Sequence, residues 1–167
     1  MFKIKVIIIG EPGVGKTSLV KKFVSGYFSE DYKASIGTNI FTKKIMLNSN
    51  KEVLFQIWDI AGQERWLKMR NLYYRGSNGA LVVGDLTRKN TFKQIIGFWI
   101  PDLKKNCTNI PFILIANKTD LKSNCSRIEI EEIGNNINAN SILYTSAKYG
   151  EHVEDAFKLI SKLALET

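Results

Sequence analysis

The chain has 167 residues, 44% hydrophobic and 24% charged, enough for one globular domain with a buried core. No apolar run reaches the 18 or so residues of a membrane span, and the N-terminus passes straight into Phe2 to Ile9 without a small-residue cleavage site, so neither a spanning helix nor a signal peptide is indicated. The net charge of +8 is scattered in pairs such as Lys21-Lys22, Lys43-Lys44 and Lys104-Lys105, which reads as a solvated surface with a modest pull toward acidic lipid and excludes a dedicated nucleic-acid arm.

Apolar runs alternate with segments of helical period, the pattern of βα units around a mainly parallel sheet. Lys3 to Ile9 reads as the first strand, and its unbroken apolar end suits a central strand covered on both faces. A glycine-rich stretch follows, then a helix carrying Leu19, Val20 and Phe23. Ser25 to Thr38 lacks periodicity and reads as a long functional loop. Phe41 to Leu47 and Val53 to Trp58 flank Asn48-Ser49-Asn50, a hairpin signal that makes one strand antiparallel. Ala80 to Asp85, Phe112 to Ala116 and Ile142 to Tyr144 complete six strands.

Phe92, Ile95, Ile96, Trp99 and Leu103 keep helical spacing, as do Val153, Ala156, Phe157, Ile160 and Leu163, and both sets read as core stripes. Pro101 is expected to kink or split the first of these helices. Cys107 and Cys125 stand in polar sequence without metal-ligand spacing, which fits free thiols in a reducing cytoplasm. No repeat or linker interrupts the chain. The expectation is an α/β fold in a single domain over residues 1–167, with a six-stranded, mostly parallel sheet, one antiparallel strand and helices on both faces.

The motifs fall just after predicted strands, where an open α/β sheet binds ligands. Gly10-Glu11-Pro12-Gly13-Val14-Gly15-Lys16-Thr17 follows a strand, opens a helix and fits the Walker A pattern. Its glycines let backbone N–H groups turn toward phosphates at the positive end of the helix. Gly13, Val14, Gly15, Lys16, Thr17 and Ser18 are therefore candidate phosphate contacts. Lys16 places a point charge on the outer phosphates, and the Thr17 hydroxyl can ligate Mg²⁺. Asp59, at a strand end, fits a Walker B acid holding Mg²⁺ through water. Gly62 offers an N–H toward the γ-phosphate, and Gln63 can orient an attacking water.

Asn117-Lys118-Thr119-Asp120 selects the base. A carboxylate at Asp120 can accept from both N1–H and the exocyclic amine of guanine, a donor pair adenine lacks. The methylene stem of Lys118 can lie along the ring. In Thr145-Ser146-Ala147-Lys148, residues Ser146, Ala147 and Lys148 form a second base loop, where the Ala147 N–H can reach the guanine carbonyl. Phe28 is either a ring stacked on the base or an ordinary loop aromatic packed on the core.

These motifs resemble those of small GTPases of the Ras superfamily over nearly the whole chain, and within it the Rab branch. The branch is carried by Gln56-Ile57-Trp58-Asp59-Ile60-Ala61-Gly62-Gln63-Glu64-Arg65, Tyr73-Tyr74-Arg75-Gly76-Ser77 and Gly79 to Thr87. The resemblance implies a P-loop NTPase G domain that binds GTP or GDP with Mg²⁺. It implies slow GTP hydrolysis, with Gln63 orienting water and Lys16 stabilising developing charge, and service as a molecular switch in membrane trafficking or signalling. It further implies two switch loops, around Tyr32 to Ile40 and from Asp59 to about Met69, read by an effector, an exchange factor and an activating protein.

Trp58 and Tyr73 match effector-contacting aromatics of the family. Ser35 stands where a Mg²⁺-ligating Thr is usual, with Thr38 nearby but out of register, and Asn39-Ile40 replaces the usual Asp-Phe. Pro12 removes a donor beside the γ-phosphate and can hinder an arginine finger. The chain ends Ala164-Leu165-Glu166-Thr167 without a cysteine to prenylate, so membrane attachment is expected only through a lipidated tail beyond it. The protein is then a cytoplasmic monomer, peripheral at a membrane where such a tail exists. Two other classes fit some of the same residues. One is a nucleotide-dependent binding module that barely hydrolyses; the other is an ATP-binding P-loop enzyme, which the Asn117 and Asp120 pair disfavours.

Overall fold

The computed structural model describes residues 1–29, 37–48, 50–62 and 68–167. Six strands form one sheet: β1 (Phe2–Ile9), β2 (Thr38–Asn48), β3 (Lys51–Ile60), β4 (Gly79–Asp85), β5 (Phe112–Asn117) and β6 (Ser141–Thr145). Their order is β2-β3-β1-β4-β5-β6. Every neighbouring pair is parallel except β2 with β3, as the hairpin signal implied. β1 is central and covered on both faces. Ile4, Val6 and Ile8 face one core with Phe23, Phe55 and Phe157, and Ile7 and Ile9 face the other with Phe92, Trp99 and Leu114. Phe23 and Phe157 stack 4.0 Å apart across the first of these cores.

The helices are α1 (Lys16–Ser25), α2 (Arg70–Tyr74), α3 (Lys89–Gln94), α4 (Ile100–Asn106), α5 (Arg127–Asn136) and α6 (Val153–Glu166). Of the expected loop from Ser25 to Thr38, the first residue belongs to α1 and the last to β2, and residues 30–36 lie outside the described residues. α5 is an addition to the sequence reading. Ser126 and Glu129 cap it reciprocally, a pattern written in the sequence as Ser-x-x-Glu.

Pro101 does split its helix, through a π turn at Ile95–Trp99 between α3 and α4. The Ile100 N–H reaches back five residues to the Ile95 carbonyl. Pro101 then falls in the first turn of α4, directly after the π turn. The widened turn also revises the core stripe. Ile95, Trp99 and Leu103 are buried, but Ile96 is turned outward and 37% exposed. The surroundings of the two cysteines need correction as well. Both are free thiols, and both pack partly against the second core.

Candidate functional site

The strand order brings five chain segments to one edge. β1 runs into Gly10, β3 ends at Asp59 and Ile60, β4 ends at Asp85, β5 at Asn117 and β6 at Thr145. β1 and β4 are neighbours, yet the chain leaves β1 toward the β2–β3 side and leaves β4 toward β5. That divergence opens a crevice at their C-terminal ends, where open α/β sheets hold ligands.

Gly10 to Thr17 wraps over this crevice. Gly15 has φ +103, and a Cβ there would stand 2.3 Å from the Asn117 Nδ2, so only glycine fits. Lys16 is 6% exposed, and its Nζ donates to the carbonyls of Gly10 and Glu11, each at 2.8 Å. Burial pulls its pKa down to about 8, against the nearby charges of Asp59 and Glu11, with Arg88 adding to the lowering. The Thr17 hydroxyl donates to Asp59 Oδ2. Asp59 has no solvent exposure, and its Oδ1 has no hydrogen-bond partner among the described residues. Burial raises its pKa, against the Thr17 hydrogen bond and the Lys16 charge.

A buried carboxylate oxygen without a partner is costly. A hard divalent cation supplies what it lacks, and Thr17 and Asp59 are oxygen donors of the kind Mg²⁺ takes. The residues present thus fit that ion. Gly62 lies against the glycine loop so closely that a Cβ would stand 2.4 Å from the Gly10 carbonyl oxygen. Ser18 enters α1 beside Thr17. Ser35 and Gln63 lie outside the described residues.

The second half of the site is a set of braces. Asn117 is 1% exposed. Its Nδ2 donates to the Val14 carbonyl at 2.9 Å, and its Oδ1 accepts from the Thr145 hydroxyl at 2.9 Å. The Asn117 amide therefore ties the glycine loop to both base loops. Lys118 has φ +74 and reaches back to the Gly13 carbonyl at 2.8 Å. The Ser146 hydroxyl donates to Asp120 Oδ1 at 2.8 Å, which fixes the plane of that carboxylate. Ala147 is buried, and Lys148 follows it in the same loop. Phe28 packs partly buried against the first core, and Gly26, two residues before it, caps α1.

Sequence reasoning missed Asp85 and Arg88. Asp85 is buried. Its Oδ1 accepts from the Thr87 N–H and hydroxyl, and its Oδ2 pairs with Lys118 at 2.8 Å and Arg88 at 3.0 Å. Burial alone would raise its pKa, but the hydrogen bonds from Lys118, Thr87 and Arg88 outweigh that and hold it low. Arg88 also donates through Nη2 to the Pro12 carbonyl at 2.9 Å. The signal available was an acid ending an apolar strand beside the crevice, but nothing in the local pattern named its partners.

The Ras family model matches residues 5–166 of the chain. The chain is 38% identical over 170 residues to the Ypt/Rab-type GTPase ypt7 of Schizosaccharomyces pombe, covering 98% of this chain and 82% of that one. It is 39% identical over 169 residues to the Ras-related protein Rab7 of Drosophila melanogaster, covering 98% and 81%. It is also 39% identical over 172 residues to the Ras-related protein RABG3f of Arabidopsis thaliana, covering 98% and 83%.

Proposed function

The chain belongs to the Ras family as a Rab-like small GTPase, and from that premise we propose that the crevice at Gly10, Asp59, Asp85, Asn117 and Thr145 is its guanine-nucleotide site, working as a Mg²⁺-dependent switch in membrane trafficking. The observation that carries this reading is the meeting of buried Lys16 and Asp59 with half-buried Thr17. An ammonium, a hydroxyl and a carboxylate oxygen without a partner meet at a glycine loop that has no packing need for any of them.

Within this reading each residue takes a role. Lys16 rests on the Gly10 and Glu11 carbonyls, which keeps its ammonium at the mouth of the loop for the outer phosphates. Its short, fixed hydrogen bonds mean that little reorganisation is needed as charge develops in transfer. The N–H groups of Gly13, Val14 and Gly15 line the loop, and the start of α1 at Lys16, Thr17 and Ser18 adds the positive end of a helix. Thr17 and Asp59 would hold Mg²⁺ with Ser35, and that ion would offset charge on the β- and γ-phosphates. Asp120, held by Ser146, accepts the guanine donor pair, with Lys118 and Ala147 beside it. Phe28 flanks the base end of the cleft, Gly62 presents its N–H toward the γ-phosphate, and Gln63 orients the water.

The protein acts as one G domain over residues 1–167, monomeric and peripheral to a membrane, and no helix among the described residues is long and apolar enough to cross one. Effector, exchange factor and activating protein meet it at the switch segments beside Trp58 and Tyr73, whose rings lie 6.3 Å apart. Ile40 pairs with Trp58 across β2 and β3 and is exposed, so the partner-facing surface there is aliphatic where an aromatic is usual. Acid denaturation of the purified protein followed by chromatography tests the reading. Released GDP or GTP is expected, and release of ATP would overturn it.

A further inference from the structure

The glycine loop has three successive carbonyls held from outside, and only the first is held by a residue that no motif contains. Asn117 holds the Val14 carbonyl, Lys118 holds the Gly13 carbonyl and Arg88 holds the Pro12 carbonyl. In a planar trans peptide the C=O and the following N–H point in opposite directions. Fixing each carbonyl outward therefore turns the next N–H inward, which makes the Gly13, Val14 and Gly15 donors a preformed anion nest.

Pro12 makes the first of these matter more. The Glu11–Pro12 peptide carries no N–H, so the loop has already lost one donor. The Gly13 N–H is the next available, and its aim depends on the Pro12 carbonyl. Gly13 itself has φ +76, a conformation with no side chain to steady it.

We propose that Arg88 is a positioning residue for the phosphate loop, one that turns the Gly13 N–H toward the nucleotide by holding the Pro12 carbonyl while anchored on Asp85. The side chain is launched from a fixed turn. The Arg88 N–H donates to the Asp85 carbonyl, the Thr91 hydroxyl donates to the Arg88 carbonyl, and the Asp85 N–H donates to the Thr91 hydroxyl. Its two prongs divide the work, Nε to Asp85 Oδ2 at 3.0 Å and Nη2 to Pro12 at 2.9 Å. A forked, planar cation suits this better than a single ammonium. The field of Arg88 also reaches the phosphate site, since it adds to the lowering of the Lys16 pKa.

This inference rests on the guanine-nucleotide reading, and its test separates the two. Arg88→Ala and Arg88→Lys are prepared loaded with GDP and Mg²⁺ and compared with the parent protein by ³¹P NMR, GDP dissociation rate and melting temperature. In Arg88→Ala, the β-phosphorus resonance of bound GDP shifts and GDP leaves about tenfold faster, the scale of one lost charge-assisted hydrogen bond. Arg88→Lys keeps the Asp85 pair and the melting temperature, but its resonance shifts as in the alanine variant. An unmoved resonance and release rate in Arg88→Ala overturn the proposal even if melting falls, because Arg88 would then only brace the turn after β4. A parental resonance in Arg88→Lys overturns the need for a fork. Failure of the parent protein itself to hold GDP removes the nucleotide reading instead.

Discussion

Arg70 is the most exacting test of the energetics in this structure. It lies on α2, is 4% exposed, and its Nε pairs with Asp102 Oδ2 at 2.8 Å. Its guanidinium carbon sits 4.7 Å from the Phe98 ring centre and 5.3 Å from that of Trp99, and Nη1 has no partner among the described residues. Asp102 stands at the rim, its side chain 16% exposed. The two partners should therefore respond unequally. Asp102→Asn strands a buried cation, and removing one partner of a fully buried pair costs about 3–5 kcal/mol. Water reaching Asp102 lowers this to about 2–3 kcal/mol here. Arg70→Met leaves a carboxylate that water can reach and fills the same slot with apolar volume, so its cost is about 1 kcal/mol. The double variant should recover most of the Asp102→Asn loss, a coupling of about 2 kcal/mol. Urea denaturation of all four proteins at one fixed GDP and Mg²⁺ concentration gives the cycle. Equal single costs, or a double variant as unstable as the sum, would refute the picture of a trapped cation with a rim partner.

Gly62→Ala would place a Cβ 2.4 Å from the Gly10 oxygen and 2.8 Å from the Pro12 nitrogen; overpacking of this kind costs about 1–3 kcal/mol, so unchanged melting and nucleotide affinity would contradict the close approach. Lys16, with a pKa near 8 in the free site, is about half protonated at pH 8, and phosphates favour its charged form. Binding of GDP at pH 8 should then take up protons, with uptake falling toward zero near pH 6, measured by calorimetry in buffers of different ionisation enthalpy; proton release would reverse the sign and sink the argument. Asp120→Asn should shift preference from guanine toward xanthine nucleotides, because an amide presents a donor where the acid accepted; unaltered GDP affinity would remove Asp120 from the base site. Ser126→Ala should cost about 1 kcal/mol through the lost cap. The exposed Glu129 carboxyl is held to about 2, first by Lys89 and then by Ser126. The stability it adds is thus present above the ordinary carboxylate range and fades as pH falls toward 2, readable by helix content in acid titration.

The sheet and the site were legible because both are written locally. Six apolar runs and an Asn-rich turn specify six strands and one reversal, and β1 gives its central place away by having Ile7, Ile8 and Ile9 all apolar. Each candidate nucleotide motif is a short string that lies at the end of a strand. Partners distant in sequence were not legible. Arg88 and Pro12 are 76 positions apart, and Trp99 and Glu11 are 88 apart. Nothing in a window of helical or strand period links them. α5 escaped for a different reason. Its isoleucines do not form one stripe, since Ile128 is 71% exposed while Ile130 is buried, and its start is marked by the Ser126–Glu129 box and not by hydrophobic period. Ile96 was misplaced because a π turn breaks the 3.6-residue count that the stripe assumes.

The phosphate loop departs from the pattern expected of it most visibly at Pro12, and the structure braces it there and at its neighbour. The Glu11 carboxylate accepts from the Trp99 indole N–H at 2.8 Å, and the Pro12 carbonyl accepts from Arg88. Arg88 stands immediately before, and Trp99 within, the helical rod that runs from Lys89 to Asn106. Arg88 caps its start, and Trp99 sits inside its π turn. With the count of a regular α-helix, Ile96 and Trp99 would share a face, whereas the widened turn leaves Ile96 in solvent and Trp99 fully buried toward the loop. Trp99 is also one of the rings under the Arg70 guanidinium. This rod and the residue just before it therefore touch the phosphate loop at two adjacent residues and α2 at a third. Trp99 thus contacts both Glu11 and Arg70, so the interrupted helix joins the nucleotide end of the sheet to α2 through direct contacts.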